Sequence, residues 1–481
     1  MTQTDGIAGD NRTSNDVTSS GNLRGDMSSI QLLFTVLAYN APVVVVFTFI
    51  PVAILIGNGL GAPVAFLACG IIIAALAYGI VAVGSSLDKP GGFYSIVTAG
   101  LGRVVGLATG FTGLIAYFMA AFATYGVVGL AINRMVTEVF HGPDIRWWVW
   151  AMVAAVIVGA LGYFNINLSA KVMVVFLACE IALVVVYDLS VLFQGGAEGL
   201  SLHSFSTENI FSGSLAIALL YGMSLYGGFE ATVIFRDEVR DPKKTIPRAT
   251  YGMVLFIAVV YSVSAWLFIN SYGAEVIMDV LAEGTIAAGE SSVNTYLGSF
   301  GGQVLIVLLC TSSFALVLAA HNITSRYIFN FAADGIFPRK LGQAHSDHVS
   351  PHRASLLVSA LCLAALVVLA IKDADSSVYA NFLGVYSYAF AMMLTVVSLA
   401  AFAYLWRRGA KRPAISALIT FPFLVILLVL TTQQFELFSG ATGTGRIILI
   451  VAVWGIAVLG AITALAARKW RPEIYARIGR Q

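Results

Sequence analysis

The chain has 481 residues, of which 59% are hydrophobic and only 11% charged, with a mean hydropathy of +0.87 and a formal net charge of +2. A soluble protein of this length carries about a quarter charged residues, so the composition excludes a string of soluble domains. The short alternating strands of an outer-membrane barrel are also absent, which leaves a polytopic α-helical protein whose first partner is the lipid bilayer.

Residues 1–28 are rich in Thr, Asp, Ser, Asn and Gly, with no apolar core before Ile30. They do not read as a signal peptide, and a disordered, solvated cytoplasmic tail is expected. Twelve apolar spans follow, near 30–57, 63–85, 104–133, 147–164, 170–193, 212–235, 249–272, 302–330, 354–371, 378–406, 413–433 and 445–467; about 20 residues suffice to cross a bilayer. Gly273–Ser299 is too polar to cross, with Glu275, Asp279, Glu283 and Glu290, and predicts a short surface helix.

The charges along this path are lopsided. With a cytoplasmic N-terminus, Arg134, Arg146, Lys372 and Arg446 fall outside, which leaves 23 of the 27 Lys and Arg residues inside. They cluster at Arg236 to Arg248, Arg326 to Arg353, Arg407 to Arg412 and Arg468 to Arg480. The positive-inside rule then puts both ends in the cytoplasm. These basic runs are read as topological, with no nucleic acid as partner.

Two spans carry breaks. Span one contains Tyr39-Asn40-Ala41-Pro42. Proline lacks an amide donor, clashes with the carbonyl four residues back and pushes its predecessor from helical angles, so an interruption is expected near Asn40–Val43. Span six has Gly227-Gly228 at a comparable depth, where glycine permits unwinding and close approach of a ligand. A broken helix frees amides at the start of one half and carbonyls at the end of the other. The amides attract a carboxylate and the carbonyls an ammonium group, so two crossing breaks can hold a zwitterion without a full side-chain charge.

Other motifs carry less. Gly57-Asn58-Gly59-Leu60-Gly61 lacks a following lysine and a βαβ context, and reads as a tight turn at the outer end of span one rather than a nucleotide loop. Cys69, Cys179, Cys310 and Cys362 lie far apart in apolar segments and read as small buried residues. No metal spacing and no cofactor motif is found.

The run Phe229-Glu230, then Glu238-Val239-Arg240-Asp241-Pro242-Lys243-Lys244-Thr245-Ile246-Pro247-Arg248-Ala249, resembles the sixth helix and following loop of the amino acid–polyamine–organocation transporter superfamily. Asn322-Ile323-Thr324-Ser325-Arg326, Ala333 to Pro338 and His345 to Pro351 are similar to its eighth helix and next loop, and Pro90-Gly91-Gly92-Phe93-Tyr94 to its loop after helix two. The resemblance implies an inverted five-plus-five repeat with discontinuous helices one and six: a core over 29–406, peripheral helices eleven and twelve over 407–468, and a basic cytoplasmic C-terminal tail over 469–481. It implies a secondary transporter of amino acids in the cytoplasmic membrane, with a polyamine or other organic amine as the runner-up substrate, and no enzyme activity.

Carried over by position, the substrate site is Tyr39, Asn40, Ala41, Pro42 and Val43 with Leu225, Tyr226, Gly227 and Gly228. Family members usually carry Gly-x-Gly where this chain has Asn40-Ala41-Pro42; the Asn40 side chain is the expected replacement donor. Glu180, mid-span in helix five, stands where many relatives hold a lysine that substitutes for sodium. It is the candidate for a coupling proton, with sodium as the other coupling ion. Glu230, one turn after the second break, and Tyr117 and Tyr386 are candidate gating residues. Tyr125, Tyr226 and Tyr388 fall in the same set of spans. Asp188 is expected near the interface and His321 as a satisfied core residue. Thr311, Ser312 and Ser313 are possible ion oxygens, or bond back to their own helix.

Overall fold

The computed structural model describes residues 28–38, 40–87, 92–164, 170–229, 232, 239–343, 351–375 and 378–479. Every long element among them is a helix. In chain order these are α1 (Ser29–Ala38), α2 (Pro42–Ile56), α3 (Ala62–Gly84), α4 (Gly92–Leu101), α5 (Arg103–Arg134), α6 (Trp147–Tyr163), α7 (Ala170–Gln194) and α8 (Leu215–Ser224). They continue as α9 (Pro242–Tyr272), α10 (Ile277–Glu283), α11 (Thr285–Ala333), α12 (His352–Ile371), α13 (Val378–Arg407), α14 (Lys411–Gln433), α15 (Gly443–Trp470) and α16 (Pro472–Arg477).

Nine helices among the described residues are long and apolar enough to cross a membrane, and α2, α4, α6 and α8 are shorter apolar helices. Their outer faces keep large apolar side chains exposed, such as Ile71, Leu255, Ile371, Ile419 and Ile448. In water such a surface would be a liability; against lipid it is the expected solvent contact. The chain is a multi-pass membrane protein.

The interior is built around α5, which packs against α11, α13 and α15, while α3 packs against α8, α9 and α14. α1 lies on α7 and α9, and α2 on α7 and α11. Glycine allows the closest approaches: a Cβ on Gly100 would lie 2.2 Å from the Ala400 carbonyl oxygen, which is how α4 sits against α13.

Two regions differ from the sequence reading. The polar stretch Gly273–Ser299 is no simple surface helix. It forms α10 and the first part of α11, which kinks at Gly298 (φ 74°). One face of this part is buried, including Ile286, Glu290 and Val293. Glu290 is tolerated there because it forms an ion pair with Arg134 at the end of α5. Cysteine burial is also uneven: Cys69 and Cys362 are buried, but Cys179 faces outward from α7.

The C-terminal residues pack against the helices. α16 leads to Ile478, 1% exposed, which sits among Tyr94, Leu107, Phe111 and Phe331. The Gly479 N–H donates to the Tyr94 hydroxyl (3.0 Å), which donates to Asp334 Oδ2 (3.1 Å). The Arg103 guanidinium lies 5.4 Å from the Tyr475 ring centroid. Residues 1–27 of the expected N-terminal tail lie outside the described residues.

Candidate functional site

The first interruption lies between α1 and α2. Ala41 adopts φ 48°, ψ 69°, the left-handed region, an uncommon conformation for a residue with a Cβ. Pro42 opens α2, where its missing N–H would have had no intrahelical partner in any case. The chain then runs through a π-helical turn, Val45–Phe49, a distortion found often at functional sites. Asn40 is buried between the two helices.

The second interruption follows α8. The helix stops at Ser224, and the next residues form tight turns, with Gly227 N–H donating to Ser224 O (3.1 Å) and Phe229 N–H to Tyr226 O (3.2 Å). Gly228 has φ 95°, which glycine adopts without strain. Gly227 serves a different need. A Cβ there would lie 2.4 Å from the Tyr386 hydroxyl, which reaches in from α13 to donate to Ser224 O (3.2 Å).

The two interruptions touch. The Asn40 side-chain amide donates to the Leu225 carbonyl, and its carbonyl oxygen accepts from the Tyr261 hydroxyl of α9. Beside this contact is a cavity of about 70 Å³. Its walls come from Asn40, Val45 and Phe49; from Ala120, Ala123 and Thr124 of α5; from Ser224, Leu225 and Gly227; from Leu316 and Ala320 of α11; and from Leu383 and Tyr386 of α13. No described wall residue is charged. Its polar residues are Asn40, Thr124, Ser224 and Tyr386.

Glu180 stands behind this wall on α7. It is 5% exposed, and its Oε2 accepts from the Val43 N–H (3.4 Å), one of the amides at the start of α2. The Ser312 hydroxyl of α11 lies beside the same carboxyl. Thr311 and Ser313 instead bond back to carbonyls of their own helix. Asp188 is buried, and its Oδ2 accepts from the Ser264 hydroxyl of α9 (2.7 Å). His321 is fully buried with its Nε2 2.9 Å from the Ser355 hydroxyl.

Of the residues singled out by sequence, Asn40, Leu225, Gly227 and Tyr386 line the cavity, while Ala41, Pro42, Val43, Tyr226 and Gly228 form the adjoining interruptions. Tyr39 and Glu230 lie outside the described residues. Tyr117 packs on Tyr327, ring centroids 5.8 Å apart, and is not among the wall residues. The Tyr226 hydroxyl turns to Phe66 O of α3, Tyr388 to Thr432 of α14, and Tyr125 is buried in the α5–α6–α12 cluster. Sequence reasoning missed Tyr261 altogether. It is a tyrosine in an apolar span with no local motif, and only its partner gives it meaning.

At the α4–α11 end, outside the spans, burial holds the Asp334 carboxyl above its usual range, and the Tyr94 hydroxyl bond opposes that shift. Among the described residues, no group of three or more metal-ligating side chains converges.

The sequence pattern of a family described as amino acid permease matches residues 31–458. The human cystine/glutamate transporter (Homo sapiens) is 24% identical over 400 residues, covering 80% of this chain and 75% of that protein. A low-affinity putrescine importer of Escherichia coli (strain K12) is 23% identical over 357 residues, 73% of this chain and 76% of that protein. Asc-type amino acid transporter 1 of Mus musculus is 23% identical over 387 residues, 77% of this chain and 69% of that protein.

Proposed function

The chain belongs to the amino acid permease family, as a transporter and not an enzyme, and we propose that it moves amino acids across the cytoplasmic membrane by alternating access. The observation that carries this reading is the cavity at which both helix interruptions meet in an otherwise apolar interior. Irregular backbone survives at membrane depth only where it is buried in protein or lines a cavity, and in secondary transporters such sites bind the substrate. The positive end of the α2 dipole draws the carboxylate, the Val43 N–H being already given to Glu180, and the carbonyl end of α8 draws the ammonium group. The contacts lie along Asn40 to Val43 and Leu225 to Gly228, and the sequence assigns Tyr39 to the same set. Tyr386, on the cavity wall, is the first gating candidate, with Glu230 and Tyr117 the others that the sequence assigns.

The topology of this reading has twelve crossings. The nine long helices and α6 make ten, and the interrupted crossings through α1–α2 and α8 complete the set. Interruptions in the first and sixth crossings fit an inverted five-plus-five repeat. The Lys and Arg distribution puts both chain ends in the cytoplasm.

Glu180 carries the coupling proton in this scheme. It touches the start of α2, so a change in its charge is felt at the interruption itself. Sodium is the competing coupling ion, and exchange the competing mode. An organic amine is the second substrate reading, favoured by similarity to a putrescine importer; the absence of a carboxylate from the described cavity wall favours amino acids. Uptake into proteoliposomes, with and without a pH or sodium gradient, tests the proposal. Neutral, acidic and basic amino acids, putrescine and ethanolamine form the competitor panel. Saturable uptake of an amino acid supports the reading; saturable uptake of the amines alone transfers it to the second.

A further inference from the structure

We infer that Tyr261 is a positioning residue, and that Asn40, which it holds, is a brace between the two helix interruptions. The inference rests on the cavity being the solute site, and it deepens that reading by assigning the groups around it.

A carboxamide offers two N–H donors and an oxygen with two lone pairs. On Asn40 one N–H is given to the Leu225 carbonyl and one lone pair receives the Tyr261 hydroxyl. Asn40 is 6% exposed and Tyr261 0%, so water does not compete for either. Leu225 follows the last residue of α8, and its carbonyl belongs to the set that a terminated helix leaves without an intrahelical partner. Such a group in an apolar interior must find a donor.

The orientation of the carboxamide is set by the Leu225 carbonyl and held by Tyr261. The Leu225 carbonyl can only accept, so the amide nitrogen must face it, and the oxygen must face α9. A hydroxyl there donates to that oxygen and holds the amide in this sense. Tyr261 thus acts through Asn40 to fix the separation of the α2 start from the α8 end. Those are the ends whose freed amides and carbonyls flank the cavity. Neither residue type is interchangeable: aspartate at position 40 cannot donate to Leu225, and phenylalanine at 261 cannot donate to Asn40.

Uptake kinetics of the best solute from the panel separate this role from others. Tyr261→Phe is expected to raise KM about tenfold, the size of one lost buried hydrogen bond, by the same factor for every transported solute, with the maximal rate within about twofold of the parent. Because Tyr261 works through Asn40, the Tyr261→Phe/Asn40→Ala double variant should be no worse than Asn40→Ala alone. A purely structural Tyr261 predicts lower thermal stability in detergent with KM unmoved. Independent action of the two residues predicts additive effects and a change of selectivity confined to Asn40→Ala. Either result overturns the inference. If the parent protein moves no solute, the functional reading fails on its own. Amide hydrogen exchange across residues 219–229 then still decides the brace: protection lost in Tyr261→Phe supports it, and protection retained overturns it.

Discussion

Adding one methyl group at Gly227 probes the narrowest part of the site. Gly227 has no positive φ, so glycine is needed for space rather than for conformation. The new Cβ would lie 2.4 Å from the Tyr386 hydroxyl and 3.3 Å from Ser224 O. The first distance cannot persist, and the second is tight. Tyr386 must swing away and give up its 3.2 Å bond to Ser224 O, a net loss of about 0.5–1.5 kcal/mol. Crowding of a packed interior adds about 1–3 kcal/mol. Reduced freedom of the unfolded chain returns about 0.4–1 kcal/mol. The sum is a destabilisation of about 0.5–4 kcal/mol, together with loss of free volume in a cavity of only about 70 Å³. Thermal unfolding in detergent and the KM for uptake read both effects. The control is Tyr386→Phe, which removes the clashing oxygen; the nearest remaining ring carbon would be 3.7 Å from the Cβ, an ordinary contact. Gly227→Ala should therefore cost less in the Tyr386→Phe background than in the parent. If Gly227→Ala leaves stability and KM unmoved, or costs the same in both backgrounds, the reasoning fails.

Other consequences follow from the same geometry. Glu180→Gln should abolish accumulation driven by a pH gradient while leaving solute exchange intact; accumulation that persists removes Glu180 from the coupling role. Arg134→Met leaves Glu290, whose side chain is 8% exposed, without its cationic partner, and should destabilise the protein by about 3–5 kcal/mol, read as a lower unfolding temperature that Glu290→Gln partly restores. Ile478→Ala removes a buried side chain from its niche beside Tyr94 and Phe331 and should cost about 2–5 kcal/mol; no change in unfolding temperature would mean that the C-terminal segment is not docked there. Asp334→Asn tests a raised carboxyl pKa. Folding disfavours the charged form, so the parent loses stability as pH rises from the unfolded value through the folded one, and the Asn variant should gain on it over that interval.

What the sequence made legible is local. Pro42 disfavours continuation of its helix and Gly227-Gly228 permits an interruption, because both act through their own backbone. Apolar run length likewise reports the helices without reference to neighbours. The illegible features are meetings between distant residues. Asn40 and Tyr261 are separated by 221 positions, and nothing around Tyr261 distinguishes it from a packing tyrosine. Glu290 reads as a solvated acid until Arg134 is placed against it. The partner of Asp188, Ser264 of α9, lies 76 positions away. Helix α4 was hidden for another reason: ten residues are too short to register as a span, and its place against α13 depends on Gly100 lacking a side chain.

In the proposed transport cycle one solute, held where the two interruptions meet, is reached from either side of the membrane in turn. Ala123→Cys, on the α5 wall of the cavity, tests it in a background with the four native cysteines changed to serine. Impermeant thiol reagents applied from each face of oriented vesicles should both label the new cysteine, and saturating solute should slow both reactions. Labelling from one face only, or labelling indifferent to solute, would contradict the account.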